Sequence, residues 1–250
     1  MSIKNLKKEL DLAKKAALKA GKLLVKNKND LIKSIFLSDK DIKLKADIEA
    51  EKTIKLILES KSFFPILAEE SGKSRENLNE TFWVVDPLDG TANYARDIPL
   101  CCVSIALIHK MNPVLGVIYD FNNKNLYEGC LGGEAKLNGV HIKVSDTKKA
   151  NDGILLTGLP NNTDYSDQAL LIMVKDFQKW RKVRMIGSAA IASSYIASGK
   201  ADLYKEFGAY LWDVAAGAAI VSAAGGIAEI RNQKANYQVD VSFSNSKILE

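Results

Sequence analysis

Histidine and cysteine are scarce in this 250-residue chain, which has two histidines and three cysteines. Neither His109 nor His141 neighbours a cysteine or the other histidine, and no C-x-x-C occurs, so the sequence predicts no zinc site. Cys101, Cys102 and Cys130 are odd in number, and two of them are adjacent in an apolar run. This usage is typical of reduced, buried thiols in a cytoplasmic protein.

Long apolar runs are also missing. The most apolar segment, Val214 to Ala228, is shorter than the roughly 20 residues that a membrane span needs. Residues 1–24 show the spacing of an amphipathic helix and lack the uninterrupted apolar stretch of a signal peptide. A membrane partner is therefore not expected.

The charge balance is only mildly positive, with a formal net charge of +5. The lysines are scattered, with a bias to the N-terminal helix, rather than gathered in one block with interleaved aromatic residues. The Lys-rich face of that helix is most simply a solvated one. We therefore do not expect a nucleic-acid partner, whereas a small anionic substrate is compatible with this charge.

The order of predicted elements divides the chain into two halves of an α/β (α+β) protein. Residues 1–147 begin with two helices, the second over Lys45–Ser60, joined by a mobile connection or short hairpin. They continue as short β runs separated by turn signals such as Asn138-Gly139, which predicts an antiparallel meander. Residues 148–250 alternate strands with helices, as in a layered α/β half. No low-complexity linker occurs between the halves, so we expect them to pack together.

Carboxylates follow the predicted strands at the points where buried segments meet loops. Glu69 and Glu70 follow "PILA", Asp86 and Asp89 follow "FWVV", and Asp213 opens an apolar helix. Buried carboxylates are costly unless they are paired, and the segment "WVVDPLDGTANY" contains no Lys or Arg. Hard oxygen ligands without His or Cys favour Mg²⁺ over a transition metal. The pattern therefore predicts a magnesium site.

A glycine and a threonine directly after these carboxylates suit a phosphate. Gly90 allows close approach of the backbone, and a helix beginning there would direct the N–H groups of Gly90, Thr91 and Ala92 outward. A phosphate bound there would also meet a metal held by Asp86 and Asp89. The hydroxyl of Thr91 could orient a water molecule.

Three segments together resemble the signatures of the inositol monophosphatase family of Mg²⁺-dependent, lithium-sensitive phosphatases. They are "AEESG" (68–72), "WVVDPLDGTANYARDIP" (83–99) and "LWDVAAGAAIVSAAGG" (211–226), and the resemblance covers almost the whole chain. It implies a layered α-β-α-β-α sugar-phosphatase fold, a homodimer and direct hydrolysis of a phosphate monoester.

The resemblance also implies roles for individual residues. The metal ligands of two main Mg²⁺ sites would be Glu69, Asp86, the carbonyl of Leu88, Asp89 and Asp213. Thr91 and Glu69 would activate the attacking water, and Asp47 would serve a third, weaker Mg²⁺. The segment "DIKLKAD" that ends at Asp47 departs from the family's usual "DLVTxxD".

The substrate contacts implied by the resemblance lie in two further segments. Glu206 matches the position that binds inositol hydroxyls, and "RMIGSAA" (184–190) resembles a turn whose backbone contacts substrate, here Gly187, Ser188 and Ala189. Asp89, Gly90, Thr91 and Asp213 complete the set. A carboxylate at position 206 suits a neutral polyol and would repel a second phosphate.

Purely structural roles remain alternatives for several of these residues. Asp47 and Asp213 also suit helix caps, Glu69 and Glu70 suit the start of a solvated loop, and a glutamate such as Glu206 is usually at the surface. For the activity, hydrolysis of inositol 1-phosphate or a similar polyol phosphate is the leading hypothesis. Fructose-1,6-bisphosphatase and 3′(2′),5′-bisphosphate nucleotidase activities are the alternatives. From another class, some bacterial relatives resemble regulators of ribosomal RNA synthesis.

Overall fold

The structure, a computed structural model, describes residues 3–32, 34–37, 42–159 and 164–248. The helices in this part are α1 (Ile3–Lys26), α2 (Lys28–Leu31), α3 (Lys45–Glu59), α4 (Thr91–Ala95), α5 (Asp167–Phe177), α6 (Ala189–Ala197) and α7 (Leu211–Ala223). The strands are β1 (Ser34–Leu37), β2 (Ile42–Leu44), β3 (Ile66–Ala68), β4 (Gly72–Lys73), β5 (Thr81–Asp89), β6 (Cys102–His109), β7 (Asn112–Asp120), β8 (Asn125–Cys130), β9 (Lys136–Leu137), β10 (Val140–His141), β11 (Ile154–Thr157), β12 (Lys182–Met185), β13 (Leu203–Tyr210), β14 (Ile227–Arg231) and β15 (Gln238–Ser244).

The first sheet has eight strands in the order β10-β9-β8-β7-β6-β5-β3-β4. The predicted antiparallel meander is confirmed, since consecutive strands from β5 to β10 pair antiparallel. The hairpin alternative for the connection between the first two long helices is also confirmed, because β1 pairs antiparallel with β2. Residues 33 and 38–41 of that connection lie outside the described residues.

The end of β5 is irregular, and this irregularity shapes the site. Its pairing with β6 shifts register between Asp86 and Asp89. Pro87, which has no N–H to give to the ladder, lies in this interval, where a proline is tolerated because the ladder is already interrupted. Both carboxylates are thereby placed in a distorted strand end rather than a regular ladder.

The second sheet has five strands in the order β12-β11-β13-β15-β14. β11 pairs parallel with β12 and β13, whereas β15 pairs antiparallel with β13 and β14. β15 was not predicted, although Val239, Val241 and Phe243 alternate as buried residues along it. β13 continues to Tyr210 past a register shift at Gly208, whose φ is +81°.

The layers stack in the order helix, sheet, helix, sheet, helix, which confirms the predicted fold class. α1 and α3 cover one face of the eight-stranded sheet around Trp83 and Val85. α6 and α7 fill the space between the sheets, where one hydrophobic cluster includes Val84 and Phe243. α5 lies on the outer face of the five-stranded sheet, which it contacts through Phe177.

The central helix α7 packs very close to the first sheet. A Cβ atom added to Gly116 on β7 would lie 2.1 Å from the carbonyl oxygen of Ala216 on α7, so only glycine fits there. Because the central cluster draws side chains from both sheets, the two predicted halves share a core. The division at residue 147 stays a prediction. Of the cysteines, Cys101 and Cys102 are buried as predicted, while Cys130 is half-buried.

Candidate active site

The carboxylates predicted from the sequence meet at one edge of the first sheet. β3 and β5 are parallel neighbours, so their carboxyl ends lie side by side, and the N–H of Glu69 donates to the carbonyl of Val85 (3.1 Å). α7 contacts β5 and β6, and its first turn carries Asp213 to the same place. This arrangement gathers Glu69, Asp86, Asp89 and Asp213, as expected for a site at the carboxyl ends of parallel strands.

Loss of hydration dominates the electrostatics of this group of four carboxylates, and repulsion between neighbouring charges adds to it. Burial raises the pKa of Asp86 well above its ordinary value, and the charge of Glu69 raises it further. Glu69 keeps solvent access along its side chain, but loss of hydration around its carboxyl group, followed by the charge of Asp213, likewise raises its pKa. Burial and then the charge of Asp89 raise the pKa of Asp213. At neutral pH the group therefore favours a bound cation.

Hydrogen bonds from backbone N–H groups orient Asp86 and Asp213. Oδ1 of Asp86 accepts from the N–H of Leu88 (2.9 Å), and Oδ2 of Asp213 accepts from the N–H of Tyr210 (2.9 Å). Asp213 therefore does act as a cap, because it satisfies a backbone donor at the start of α7. The cap also fixes the direction of its carboxylate, so the structural and the chemical interpretations hold together.

Asp89 connects the end of β5 to the N-terminus of α6. Its Oδ2 accepts from the hydroxyl of Ser188 and from the N–H of Ala190 (2.7 Å). Burial raises the pKa of Asp89 to about 6, while the bonds from Ser188 and the N–H groups of Ala190 and Ala189 act in the opposite direction. The predicted turn at Gly187, Ser188 and Ala189 thus lies directly against a predicted metal ligand.

Asn93 strengthens this connection, and the sequence analysis did not single it out. Its side-chain amide donates to the carbonyls of Leu100 (2.8 Å) and Ile186 (3.0 Å), and so joins the loop after α4 to the turn before α6. Asn93 belongs to the second signature segment. Its position in that segment was the available signal, but an amide in a sequence motif does not reveal which distant residue it contacts.

Asp47 and Thr91 form a second contact beside the carboxylate group. The hydroxyl of Thr91 lies 3.0 Å from Oδ1 of Asp47 and 3.0 Å from the carbonyl oxygen of Leu88. Oδ2 of Asp47 accepts from the N–H of Leu44 (2.7 Å), which confirms its role as a helix cap. Burial raises the pKa of Asp47 to about 7. Both oxygens of Asp47 are thus engaged.

Gly90 provides the turn between β5 and α4. Its φ is +86°, a conformation that favours glycine, and a Cβ atom there would lie 2.7 Å from the carbonyl oxygen of Leu100. α4 begins at Thr91, as the phosphate hypothesis required, although the helix has only five residues. The backbone of residues 90–92 therefore lies next to Asp89 at the same sheet edge.

Glu206 is not a simple surface residue. It is half-buried on β13, accepts a hydrogen bond from the hydroxyl of Tyr204 (3.0 Å), and its pKa is raised to about 7, first by burial. The charge of Asp89 adds to this rise. Glu206 lies two residues from Tyr204 on β13, so its side chain is on the same sheet face as Tyr204, which belongs to the cluster between the two sheets. A Cβ atom on Gly158 would lie 2.2 Å from Oε2 of Glu206. Gly158, which the sequence analysis missed, leaves the space for this carboxylate.

The donor atoms of the site fit Mg²⁺ chemically. Within the described ranges, no three Asp, Glu, His or Cys side chains are grouped closely enough to ligate one ion. Mg²⁺ does not require such a cage, because it commonly uses one or two carboxylates together with waters and substrate phosphate oxygens. Four carboxylates that repel one another, together with the Leu88 carbonyl, match this preference.

Comparison with curated proteins corrects one expectation. "Nus factor SuhB" from Xylella fastidiosa is 37% identical over 226 residues, which cover 88% of this chain and 81% of that protein. The name describes a factor rather than an enzyme, so our expectation that nucleic acid is not a partner is not supported. In the part of the chain that the structure describes, no helix is long and apolar enough to cross a membrane.

Family and structure comparisons agree with the geometry of the site. The inositol monophosphatase family matches residues 5–247. The inositol monophosphatase from Anabaena is 33% identical, with a TM-score of 0.83 and coverage of 97% of this chain and 92% of that one. The extragenic suppressor protein SuhB from Bartonella henselae is 29% identical, with a TM-score of 0.83 and coverage of 92% of each chain. This chain therefore belongs to the inositol monophosphatase family.

Proposed function

We propose that the chain hydrolyses the phosphate monoester of a small polyol, such as inositol 1-phosphate, in a Mg²⁺-dependent reaction. The observation that carries the proposal is the gathering of Glu69, Asp86, Asp89 and Asp213, whose pKa values are all raised by burial and, for all but Asp89, also by the charges of neighbouring carboxylates. Such a group of carboxylates is stabilised most when a cation and a phosphate bind together. We further propose that the protein acts in the cytoplasm as a homodimer.

The carboxylates and the Leu88 carbonyl would hold two Mg²⁺ ions. When bound, Mg²⁺ makes water more acidic and withdraws charge from phosphate oxygens. The protein residues supply orientation: α6 holds Asp89 through Ser188 and Ala190, and the first turn of α7 holds Asp213. A third Mg²⁺ at Asp47 is the weaker part of the proposal, because both oxygens of Asp47 already accept hydrogen bonds.

The attacking water would be oriented by Thr91, and its proton would be taken up by Asp47 or Glu69. The Thr91 hydroxyl has one hydrogen and two acceptors at 3.0 Å, Asp47 and the Leu88 carbonyl. Because the pKa of Asp47 is about 7, this carboxylate can take up a proton near neutral pH. Thr91 can pass its own hydrogen to Oδ1 of Asp47 while it takes a proton from the water that it orients, so that the proton of the water ends on Asp47 and the hydroxyl group of Thr91 is restored. Glu69, at the exposed side, is the second acceptor.

The substrate hydroxyls would bind to Glu206, and the phosphate would lie over the backbone of Gly90 and Thr91. The turn at residues 187–189 would contact the sugar ring from the α6 side. A carboxylate at position 206 disfavours a second phosphate, which argues against fructose 1,6-bisphosphate and against a nucleotide bisphosphate. Both remain the alternatives within the enzyme class.

Phosphate release tests this proposal directly. Inositol 1-phosphate, fructose 1,6-bisphosphate and 3′-phosphoadenosine 5′-phosphate should be compared at equal concentration with Mg²⁺, with and without lithium. We expect the first to be preferred and lithium to inhibit. A preference for the nucleotide would overturn the assignment of Glu206, and no release from any substrate would overturn the enzymatic proposal.

Substituting Glu206 by glutamine is expected to weaken substrate binding. Glutamine keeps the acceptor for Tyr204 but loses the charge that binds hydroxyl groups, so KM for inositol 1-phosphate should rise about tenfold with kcat nearly unchanged. Steady-state kinetics measure both constants. For the second substrate, fructose 1,6-bisphosphate, the same variant should lower KM, because repulsion of a phosphate is removed. An equal loss for both substrates would contradict the role of Glu206.

A second candidate function is binding to a polyanion, and one surface of α1 favours it. Lys15, Lys19, Lys22 and Lys26 recur at spacings of four, three and four residues, and all four are exposed. They therefore form a stripe along one helix face, which we call the lysine stripe. No carboxylate of the described residues forms an ion pair with it. Like charges at these spacings cost stability, so an anionic partner would offset that cost.

Nucleic acid is the polyanion to test, because relatives are named as Nus factors. Replacing all four stripe lysines by glutamine should reduce the slope of log K against log salt for a short DNA duplex by about 3 to 4. The matched control replaces the exposed Lys110, Lys124, Lys148 and Lys149 by glutamine and should leave the slope unchanged. Equal slopes for both variants would contradict a role for the stripe.

A further inference from the structure

A large cavity lies behind the five-stranded sheet, away from the carboxylate group. Its volume is about 760 Å³, within the range of small-molecule binding sites. One wall is the inner face of α5, including Leu170 and Met173, and the opposite wall is the outer face of β11 and β13, including Leu155 and Phe207. The walls are therefore largely apolar.

α5 does not fill this space with its own side chains. No residue of α5 is fully buried, and among the described residues of this helix only Phe177, at its last turn, joins a hydrophobic cluster. Leu170 and Met173 are half-buried and line the cavity instead. An amphipathic helix gains its stability by burying its apolar face, so this face has room for an apolar ligand.

The charges around the cavity define the polar end of such a ligand. Lys175, Lys179, Lys205 and Lys234 line it together with Asp164, Asp176 and Asp240. Asp176 pairs with Lys179 (2.9 Å) and lies 3.6 Å from Lys205, and Asp240 accepts from the side chain of Asn232 (2.7 Å) and the N–H of Gly208 (3.0 Å). Lys175 and Lys234 form no ion pair with a described carboxylate.

We propose that this cavity binds an anionic amphiphile, with an apolar body between α5 and the sheet and an acidic head near Lys175 and Lys234. The apolar walls recognise the body by burial, and the two lysines select a negative head. A neutral amphiphile would bind more weakly, and a cationic one would be rejected by the lysines.

The cavity and the candidate active site lie on opposite faces of strand β13. Lys205 and Phe207 line the cavity, whereas Glu206 between them is on the opposite face of the strand, where it accepts from Tyr204 of the cluster between the sheets. Gly158 also touches both, because it lines the cavity and its missing side chain makes space for Glu206. A ligand in the cavity would therefore shift the strand that carries Glu206. This consequence rests on the proposed substrate role of Glu206.

Binding can be measured without any assay of activity. Titration with dansyl-labelled undecanoate should give a saturable fluorescence increase with one site per chain, and dodecanoate should displace the probe better than dodecanol. Met173→Trp should fill the cavity and weaken probe binding by about tenfold or more. Val174→Trp is the matched control, because Val174 lies on the exposed side of the same helix and does not line the cavity.

The two lysines test the charge requirement. Lys175→Gln and Lys234→Gln should each weaken probe binding about two- to fivefold, with no effect on dodecanol. No saturable binding, or equal loss in Met173→Trp and Val174→Trp, would overturn the proposed site. If binding occurs as expected, dodecanoate should change KM for inositol 1-phosphate with little change in kcat. An unchanged KM would overturn the link to Glu206 but not the proposed enzyme activity.

Discussion

Replacing Asp89 by asparagine is expected to abolish phosphate release while the fold remains intact. We expect kcat/KM to fall by roughly a thousandfold or more, because a charged ligand at the proposed metal and phosphate site contributes several kcal/mol to the transition state. Asparagine can still accept the hydrogen bonds that Ser188 and the N–H of Ala190 give to Asp89. The connection between β5 and α6 should therefore survive.

The same substitution should not destabilise the metal-free protein at pH 8. The charge of Asp89 raises the pKa of Asp86 and of Asp213, so its removal relieves repulsion within the group. Thermal unfolding in the presence of a chelator should show a midpoint equal to or above that of the unchanged protein. Loss of activity with unchanged or raised stability distinguishes a functional residue from a structural one.

Asp202→Asn is the matched control for replacing a buried aspartate. Asp202 is buried and accepts from the hydroxyl of Ser145 and the N–H of Ile154 (2.7 Å), but it lies at the beginning of β13, far along the strand from Glu206. Its replacement should alter stability rather than kcat. If Asp89→Asn retained full turnover in saturating Mg²⁺, the proposed role of the carboxylate group would be wrong.

Much of the site could be predicted because its residues follow buried strands in short sequence segments. Glu69 follows β3 and Asp89 ends β5, and two parallel neighbouring strands necessarily end at the same sheet edge. Pro87 within an otherwise buried run was an available signal for the irregular end of β5, although it was not used as one. Local pattern and motif spacing were thus sufficient for the first-sheet part of the site.

The remaining features depend on contacts between distant segments, which a local pattern does not contain. β15 inserts between β13 and β14 although it follows both in sequence, so its place in the sheet could not be read from chain order. Its alternation of Val239, Val241 and Phe243 was a detectable signal for a strand. The amide of Asn93 has a partner 93 residues away, at Ile186, and no sequence signal specified this contact.

Residue type and family resemblance gave opposite predictions for the position of Glu206. By residue type alone it would be placed at the surface, and the resemblance alone supplied the opposite expectation. The structure shows why the carboxylate can turn inward: Tyr204 donates to it, and Gly158 leaves room for it. The glycine that makes this possible lies 48 residues earlier in the chain, in the neighbouring strand's extension.

The second large expected effect is a loss of stability of the metal-free protein as pH rises. A carboxyl group whose pKa is higher in the folded than in the unfolded protein stabilises the fold below its unfolded pKa, and this contribution is lost as pH rises through the folded pKa. The pKa of Asp89 rises from 3.8 to about 6, and those of Asp86, Glu69 and Asp213 rise well above their ordinary values. Ionisation of Asp89 alone corresponds to a penalty on the order of 3 kcal/mol at pH 8 relative to strongly acidic conditions, of which roughly 1 kcal/mol arises between about pH 5.5 and about pH 8.

The experiment compares thermal unfolding at about pH 5.5 and about pH 8, in a chelator and in Mg²⁺. These two pH values lie on either side of the Asp89 pKa of about 6. In the chelator, the midpoint should fall by several degrees between the two conditions, since about 1 kcal/mol shifts it by roughly 2–4 °C in a chain of this size. Mg²⁺ should restore stability at the higher pH and have little effect at the lower one, because protonated carboxyl groups do not ligate it.

Asp86→Asn supplies the internal control for this pH effect. The substitution removes one carboxylate of the group, so the unfolding midpoint in the chelator should change less between the two pH values, and Mg²⁺ should raise it less. Asp202→Asn should change neither the pH dependence nor the effect of Mg²⁺. Ca²⁺ and Na⁺ at matched ionic strength separate specific binding from screening, because screening acts on exposed charges more than on buried ones. If the metal-free protein were equally stable at both pH values, the fold would not raise the pKa values of Asp86, Asp89 and Asp213, and the argument for a cation between these carboxylates would lose its physical basis.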